Sequence, residues 1–146
     1  MGVYLNPGND KFYKAINSEI YVDKTGLIQY TNRVFNTMQQ NVCVSRPRRF
    51  GKSMTANMLA AYYSRGCQSE KLFEEFKIAK DPSFRQHLNR YNVFFMNMQE
   101  FLSRSKTVEK MILRISQLLM RDLKQEYPDI AYFDETDLAE SMQDVY

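Results

Sequence analysis

With 146 residues the chain is long enough for one ordinary domain with its own core. Its 44% hydrophobic and 14% aromatic content, the latter all Phe and Tyr, excludes a disordered or low-complexity polymer. A net charge of +3 excludes a nucleic-acid role based on bulk charge alone, and the longest apolar stretches fall far short of a membrane span.

The N-terminus begins with a turn cluster, Asn6-Pro7-Gly8-Asn9, and no basic start followed by an apolar run marks it as a signal peptide. Phe12, Tyr13 and Ile16 then recur at helical spacing. Glu19 to Asp23 (EIYVD) is expected as a short strand. Thr25 is expected to cap a helix reaching Met38, with Leu27, Ile28, Thr31, Val34 and Phe35 on its apolar side.

Asn41 to Ser45 (NVCVS) is a short β-rich apolar run that suits a buried strand. A basic, glycine-containing turn follows at 46–53. Met54 to Arg65 is expected as a helix packed through Met58, Leu59, Tyr62 and Tyr63, with Gly66 as its stop. Lys71 to Phe76 predicts a helical turn, and Asp81-Pro82-Ser83 starts another short element. Tyr91 to Met98 (YNVFFMNM) predicts a second strand. Thr107 to about Gln125 carries the strongest helix pattern, with Val108, Met111, Ile112, Ile115, Leu118, Leu119 and Leu123 in one stripe before Pro128. Asp134-Glu135-Thr136-Asp137 has the acidic residues of a helix start rather than of a strand end.

Strand, loop, helix is the order a phosphate-binding loop requires. Such a loop curls its backbone amides around phosphate oxygens, and the following helix adds its unpaired N–H groups and dipole. In the pattern G-x-x-x-x-G-K-[ST] the lysine meets the β- and γ-phosphates and the hydroxyl meets magnesium. Here Gly51-Lys52-Ser53 supplies the second half, while Arg46 replaces the first glycine. Pro47 fixes one φ angle without glycine, and Arg46, Arg48 and Arg49 add guanidinium forks that match phosphate. The expected nucleotide contacts are therefore Arg46, Pro47, Arg48, Arg49, Phe50, Gly51, Lys52, Ser53 and Met54. Lys52 has the catalytic role of stabilising phosphate charge, and Ser53 is the Mg²⁺ ligand. The alternative is a nucleic-acid phosphate clamp built from the same arginines. A basic, solvated surface turn is the bland alternative to both.

Other polar residues carry less. Cys43 and Cys67 lie far apart and suggest neither a zinc site nor a disulfide, which favours a reduced, cytoplasmic setting. His87, the single histidine, has no ligand-spaced companions. Glu70, Glu74 and Glu75 suit a solvated face, and Ser53 has no histidine partner for nucleophilic chemistry.

Tyr21-Val22-Asp23-Lys24-Thr25 (YVDKT), Ser45 to Ser53 (SRPRRFGKS), Leu72-Phe73 and the segment 91–98 together resemble the bacterial AAA-ATPase-like family. Its members usually join an N-terminal P-loop ATPase to a C-terminal PD-(D/E)XK nuclease-like domain, and their arginine-rich loop stands where other P-loops have glycine. The resemblance implies an α/β fold: a partial P-loop NTPase three-layer sandwich, a mostly parallel sheet flanked by helices. It implies ATP and Mg²⁺ as cofactors, Gly51, Lys52 and Ser53 as phosphate and magnesium residues, and a place near the base or ribose for Tyr21 to Thr25. Residues 1–40 are then a lead-in packing on the ATPase core, and 41–146 its front part. No apolar run followed by Asp-Glu supplies the acidic strand of such ATPases. Little hydrolysis is therefore expected from this chain alone, nucleic acid is expected to engage through a later domain, and unpaired strand edges would be open to self-association.

Overall fold

The computed structural model describes residues 2–145, which fold as two compact units: residues 2–7 with 93–145, and Gly8–Asn92. The first expectation to fall is the sheet. The chain is 51% helix and 3% strand, and no strands pair into a sheet among the described residues. The doubly flanked parallel sandwich is therefore incorrect for this chain.

The reason is visible in each of the three apolar runs. Glu19 to Asp23 is a bend leading into irregular backbone. Asn41 to Ser45 is exposed throughout, with Val42 and Val44 open to solvent. A strand needs a neighbour for its amides and carbonyls, and short apolar runs do not carry that neighbour with them. The third run finds partners one or two at a time. In the larger unit Tyr91 forms a single parallel bridge with Ser64, and in the other Phe94 forms an antiparallel one with Leu5.

The Gly8–Asn92 unit is held by α1 (Asp10–Ile16), α2 (Gly26–Val34) and α3 (Lys52–Tyr63), with short turns α4 (Glu70–Phe73), a 3-10 turn (Lys77–Lys80) and α5 (Phe84–His87). Its core joins Phe12, Ile28, Met58, Ala61, Tyr62, Phe73, Ile78 and Phe84. Phe12 stacks on Phe73 with centroids 4.7 Å apart. Each fully buried large side chain contributes about 1.5–3 kcal/mol of transfer free energy. α3 presents Met58, Ala61 and Tyr62 to this core, at the i, i+3, i+4 spacing of one helix face. That anchorage fixes the helix whose first turn carries Lys52 and Ser53.

A buried polar network sits beside these aromatics. Asn32 Nδ2 donates to the Tyr62 hydroxyl (3.0 Å) and to Ser83 Oγ (2.9 Å), while the Tyr63 hydroxyl donates to Asn32 Oδ1 at 2.6 Å. Asn89 closes the other end of α3. Its Nδ2 donates to the carbonyls of Ala61 (2.9 Å) and Ser64 (3.0 Å), groups that a helix end leaves without intrahelical donors.

The second unit holds α6 (Met98–Arg104), α7 (Val108–Glu126) and α8 (Leu138–Val145). Thr107 caps α7 by accepting from Lys110 N, and Asp137 Oδ1 accepts from Ala139 N and Glu140 N at the head of α8. The acidic run at 134–137 is thus a helix start. Leu5, Met120 and Leu123 form the core. Only part of the predicted α7 stripe is buried: Met111, Leu119 and Leu123 are covered, whereas Val108 and Ile112 are 60% and 56% exposed.

Asp122 organises this unit. Its carboxylate, 1% exposed, accepts from Tyr4 N (2.7 Å) and Leu5 N (3.3 Å) and pairs with Arg121 (2.9 Å). No described helix is long and apolar enough to cross a membrane.

Candidate functional site

Residues 46–51 leave the exposed segment 41–45 and turn sharply into α3. Two left-handed residues make the turn, Arg49 (φ 67) and Gly51 (φ 77). Gly51 enters that region at little cost, whereas Arg49 carries a Cβ there and is strained by roughly 1–2 kcal/mol. Strain of this kind persists only where the surroundings enforce it.

Two lysines do so. Lys52 Nζ donates to the Arg46 carbonyl at 2.8 Å, closing the loop across six residues. Lys24 Nζ donates to the Phe50 carbonyl at 2.8 Å from the opposite side. Thr55 completes the entry to α3, donating from both N (2.9 Å) and Oγ1 (3.0 Å) to the Gly51 carbonyl. The amides of Lys52, Ser53 and Met54 are the first-turn donors that α-helical geometry leaves without intrahelical acceptors. No side chain caps them.

Lys24 is held in place by the residues on either side of it. Asp23 Oδ1 accepts from Thr25 N (2.8 Å) and Thr25 Oγ1 (2.6 Å), and Asp23 Oδ2 accepts from Lys77 N (3.0 Å). Thr25 Oγ1 in turn accepts from Ile78 N at 3.3 Å. Burial pushes the Asp23 carboxyl up, but the hydrogen bonds from Thr25 and Lys77, with the Lys77 charge, outweigh it and hold the carboxyl below its usual range. Thr25 thus begins α2 with its hydroxyl committed to this lock rather than to capping.

A cleft of about 280 Å³ opens beside the turn. Arg49, Phe50, Gly51 and Met54 line one side, and Ile20, Tyr21, Val22 and Lys24 line the other. Burial, with the nearby Asp23 charge, raises the Tyr21 phenol above its ordinary value.

The sequence-expected residues fall into two groups. Arg49, Phe50, Gly51 and Met54 share the cleft, whereas Lys52 closes back on Arg46 and Ser53 stands exposed on the first turn of α3. Pro47 and Arg48 are exposed on the loop. Among the described residues, Arg46, Arg48 and Arg49 have no side-chain hydrogen bond or ion-pair partner. Three uncompensated guanidinium groups with Lys24 and Lys52 make this turn strongly cationic. His87 is accounted for structurally, its Nδ1 lying 2.6 Å from the Tyr91 hydroxyl, and Glu70 pairs with Arg85 on the surface.

A family model described as predicted AAA-ATPase, AAA-ATPase-like, matches residues 8–146. The chain belongs to the AAA-ATPase-like family. No curated protein and no solved structure matches it. Membership in the AAA-ATPase-like family accords with nucleotide binding in general, and the match spans the cationic turn and both lysines that hold it.

Lys24 falls in the Tyr21 to Thr25 segment that the resemblance sets near the base or ribose, but its hold on the Phe50 carbonyl was not foreseen. The Asp23-Lys24-Thr25 triplet does carry a local signal, since an Asp accepting from the amide two residues on is a common turn. Nothing in that signal says that the lysine reaches a carbonyl 26 residues away.

Proposed function

We propose that the chain binds the phosphates of Mg–ATP through residues 46–53, with the base or ribose near the cleft beside Tyr21. The observation that carries the proposal is the ring closed by Lys52 Nζ on the Arg46 carbonyl, immediately ahead of the open amides of α3. An ammonium held by one loop carbonyl is ready to exchange that acceptor for a phosphate oxygen, which is anionic and binds it more strongly. The residues fit the nucleotide: a tight turn, a helix N-terminus, three unpaired arginines, and a hydroxyl without a partner at Ser53.

In this arrangement the amides of Lys52, Ser53 and Met54 orient the phosphates. Lys52 neutralises charge at the β- and γ-positions, and Arg46, Arg48 and Arg49 screen it from the loop side. Ser53 Oγ would hold Mg²⁺, whose chemistry is to offset charge on the phosphate oxygens. Lys24 fixes the turn through the Phe50 carbonyl and so belongs to the positioning set.

Binding with little turnover is the proposed behaviour of this chain, because the sequence lacks an apolar run ending in the acidic pair that would activate water. A cytoplasmic setting suits the exposed Cys43 thiol.

The unpaired arginines also favour a second reading, in which the turn clamps nucleic-acid phosphates. A fluorescent ATP titration with and without magnesium, beside a salt series on duplex DNA, separates the two. Magnesium-dependent ATP binding that Lys52→Ala abolishes supports the nucleotide site. A steep salt slope on DNA with no ATP signal overturns it in favour of the clamp. Steady-state phosphate release that disappears with Lys52→Ala would refute the low-turnover half.

A further inference from the structure

We propose that the unit formed by α6, α7 and the N-terminal residues carries a second anion site, a groove for single-stranded nucleic acid, independent of the loop at 46–53. A cleft of about 750 Å³ lies there. Its apolar part is made by Val3, Tyr4, Phe101 and Leu118, with the Tyr4 and Phe101 rings 5.6 Å apart. Five cations border it, and their partners distinguish them.

Arg104 is paired with Glu100 at 3.2 Å and Arg121 with Asp122 at 2.9 Å. Lys106, Lys110 and Arg114 have no side-chain partner among the described residues. These three stand at successive intervals of four residues, the last two on adjacent turns of α7 and about 6 Å apart along its axis. The cleft thus holds three uncompensated positive charges in a row beside an aromatic and aliphatic floor.

A row of that length exceeds what one phosphate can meet and suits a strand whose successive phosphates track the helix. The recessed apolar floor favours unpaired bases, since a duplex presents its phosphates outward and keeps its base faces stacked away from such a surface. Half-buried Tyr4 offers the ring on which a base can stack.

The obvious competing occupant is the acidic C-terminal region of a second copy. Four of its five carboxylates are already committed within their own unit, Glu140 being the exception: Asp134 to Thr136, Asp137 to the head of α8, Glu135 to Lys124, and Asp144 to Phe133 N. A solvent-exposed strand of phosphates has no such prior partners.

The experiment is fluorescence anisotropy of the full chain with a labelled oligothymidylate over a salt series, run beside an equal-length duplex. Three phosphate contacts give a log–log slope of about −2 on single strands. Lys110→Gln with Arg114→Gln should bring the slope to about −0.7 and weaken low-salt binding by at least about tenfold. The same double variant should keep the wild-type circular dichroism and ATP affinity. Tyr4→Leu should weaken binding several-fold without altering the slope, because stacking releases no counterions. Arg48→Glu with Arg49→Glu should leave strand binding intact while ATP binding falls. The proposal is overturned by an absence of strand binding at low salt, by a duplex bound as tightly as the single strand, or by a slope unchanged in the glutamine variant. Loss of strand binding only in the loop variant assigns it to residues 46–53 and overturns the groove. A change confined to sedimentation overturns it in favour of a second copy of the chain.

Discussion

Lys24 Nζ occupies the space that a side chain on Gly51 would need: a Cβ built at Gly51 lies 2.5 Å from it. Gly51 is therefore required by its left-handed backbone, and a Cβ there would also push the flexible end of Lys24 off the Phe50 carbonyl. The requirement joins the two segments that carry the family resemblance, YVDKT and SRPRRFGKS, at one point of contact.

Gly51→Ala is expected to destabilise the Gly8–Asn92 unit by about 1–2 kcal/mol through the φ penalty alone. It should also displace Lys24 and weaken ATP binding about tenfold or more, equivalent to at least about 1.4 kcal/mol. Lys24→Ala removes the obstructing ammonium, so the double variant should lose less affinity than the two single losses combined. Thermal denaturation and ATP titration of the four proteins measure the cycle. Strict additivity would show that the ammonium and the glycine act independently.

The Ser53 hydroxyl makes no hydrogen bond among the described residues and is exposed, so Ser53→Ala should leave the melting temperature unchanged. Its effect should appear only in the magnesium dependence. ATP binding without magnesium should match the wild type, while the enhancement that magnesium brings should shrink by about tenfold. Isothermal titration at several magnesium concentrations reads this directly, and an equal loss with and without the ion would remove Ser53 from the metal's ligands.

How far the sequence disclosed these relationships depended on their range. α3 and α7 were legible because their apolar residues repeat at the helical period and their ends carry Gly66 and Pro128, all local information. The runs 19–23, 41–45 and 91–98 were read as strands because β-rich composition reports a fit to a pleated surface. Composition does not report whether a neighbouring strand exists, and Val42 and Val44 remain exposed. In the binding turn, Gly51-Lys52-Ser53 was legible as a motif, whereas the left-handed Arg49 and the reach of Lys24 were not. Asp122 was legible only in part. On α7 it falls within the apolar stripe, three residues after Leu119 and four after Leu118, which marks it as facing inward, but nothing local names its partners, the amides of Tyr4 and Leu5 more than a hundred residues earlier.

Asp122 makes the second unit acid-sensitive. Burial alone would raise its pKa, but the hydrogen bonds from Tyr4 N, Arg121 and Leu5 N, with the Arg121 charge, outweigh that and lower it below the unfolded value of 3.8. A depressed carboxyl contributes stability that is present above pH 3.8 and is lost as pH falls through the lower folded-state value. Unfolding followed by denaturant at stepwise pH should show that loss below about pH 4. Asp122→Ala should cost about 2–4 kcal/mol near neutral pH, since it strands two backbone donors, and should flatten the acid limb. An acid limb as steep as the wild type's would place the sensitivity elsewhere.

The aromatic core of the Gly8–Asn92 unit should be sensitive at the opposite end of the scale. Burial, as the largest cause, pushes the Tyr62 and Tyr63 phenols up to about 12 from an unfolded value of 10.0, against the opposing hydrogen bonds to Asn32 and Thr31. A raised phenol favours the folded state only while it stays protonated. The contribution is therefore complete below pH 10 and is lost as pH rises through about 12, where the folded protein also ionises. Ultraviolet difference titration should show two tyrosines ionising well after the exposed ones, followed by or concurrent with unfolding. Tyr62→Phe should lower neutral-pH stability by about 1–3 kcal/mol, because the donor to the Phe84 carbonyl at 2.7 Å and the acceptor for Asn32 disappear together. It should also reduce the alkaline loss. If all tyrosines titrate together near 10 while the protein remains folded, the phenols do not sit in the buried network that anchors α3.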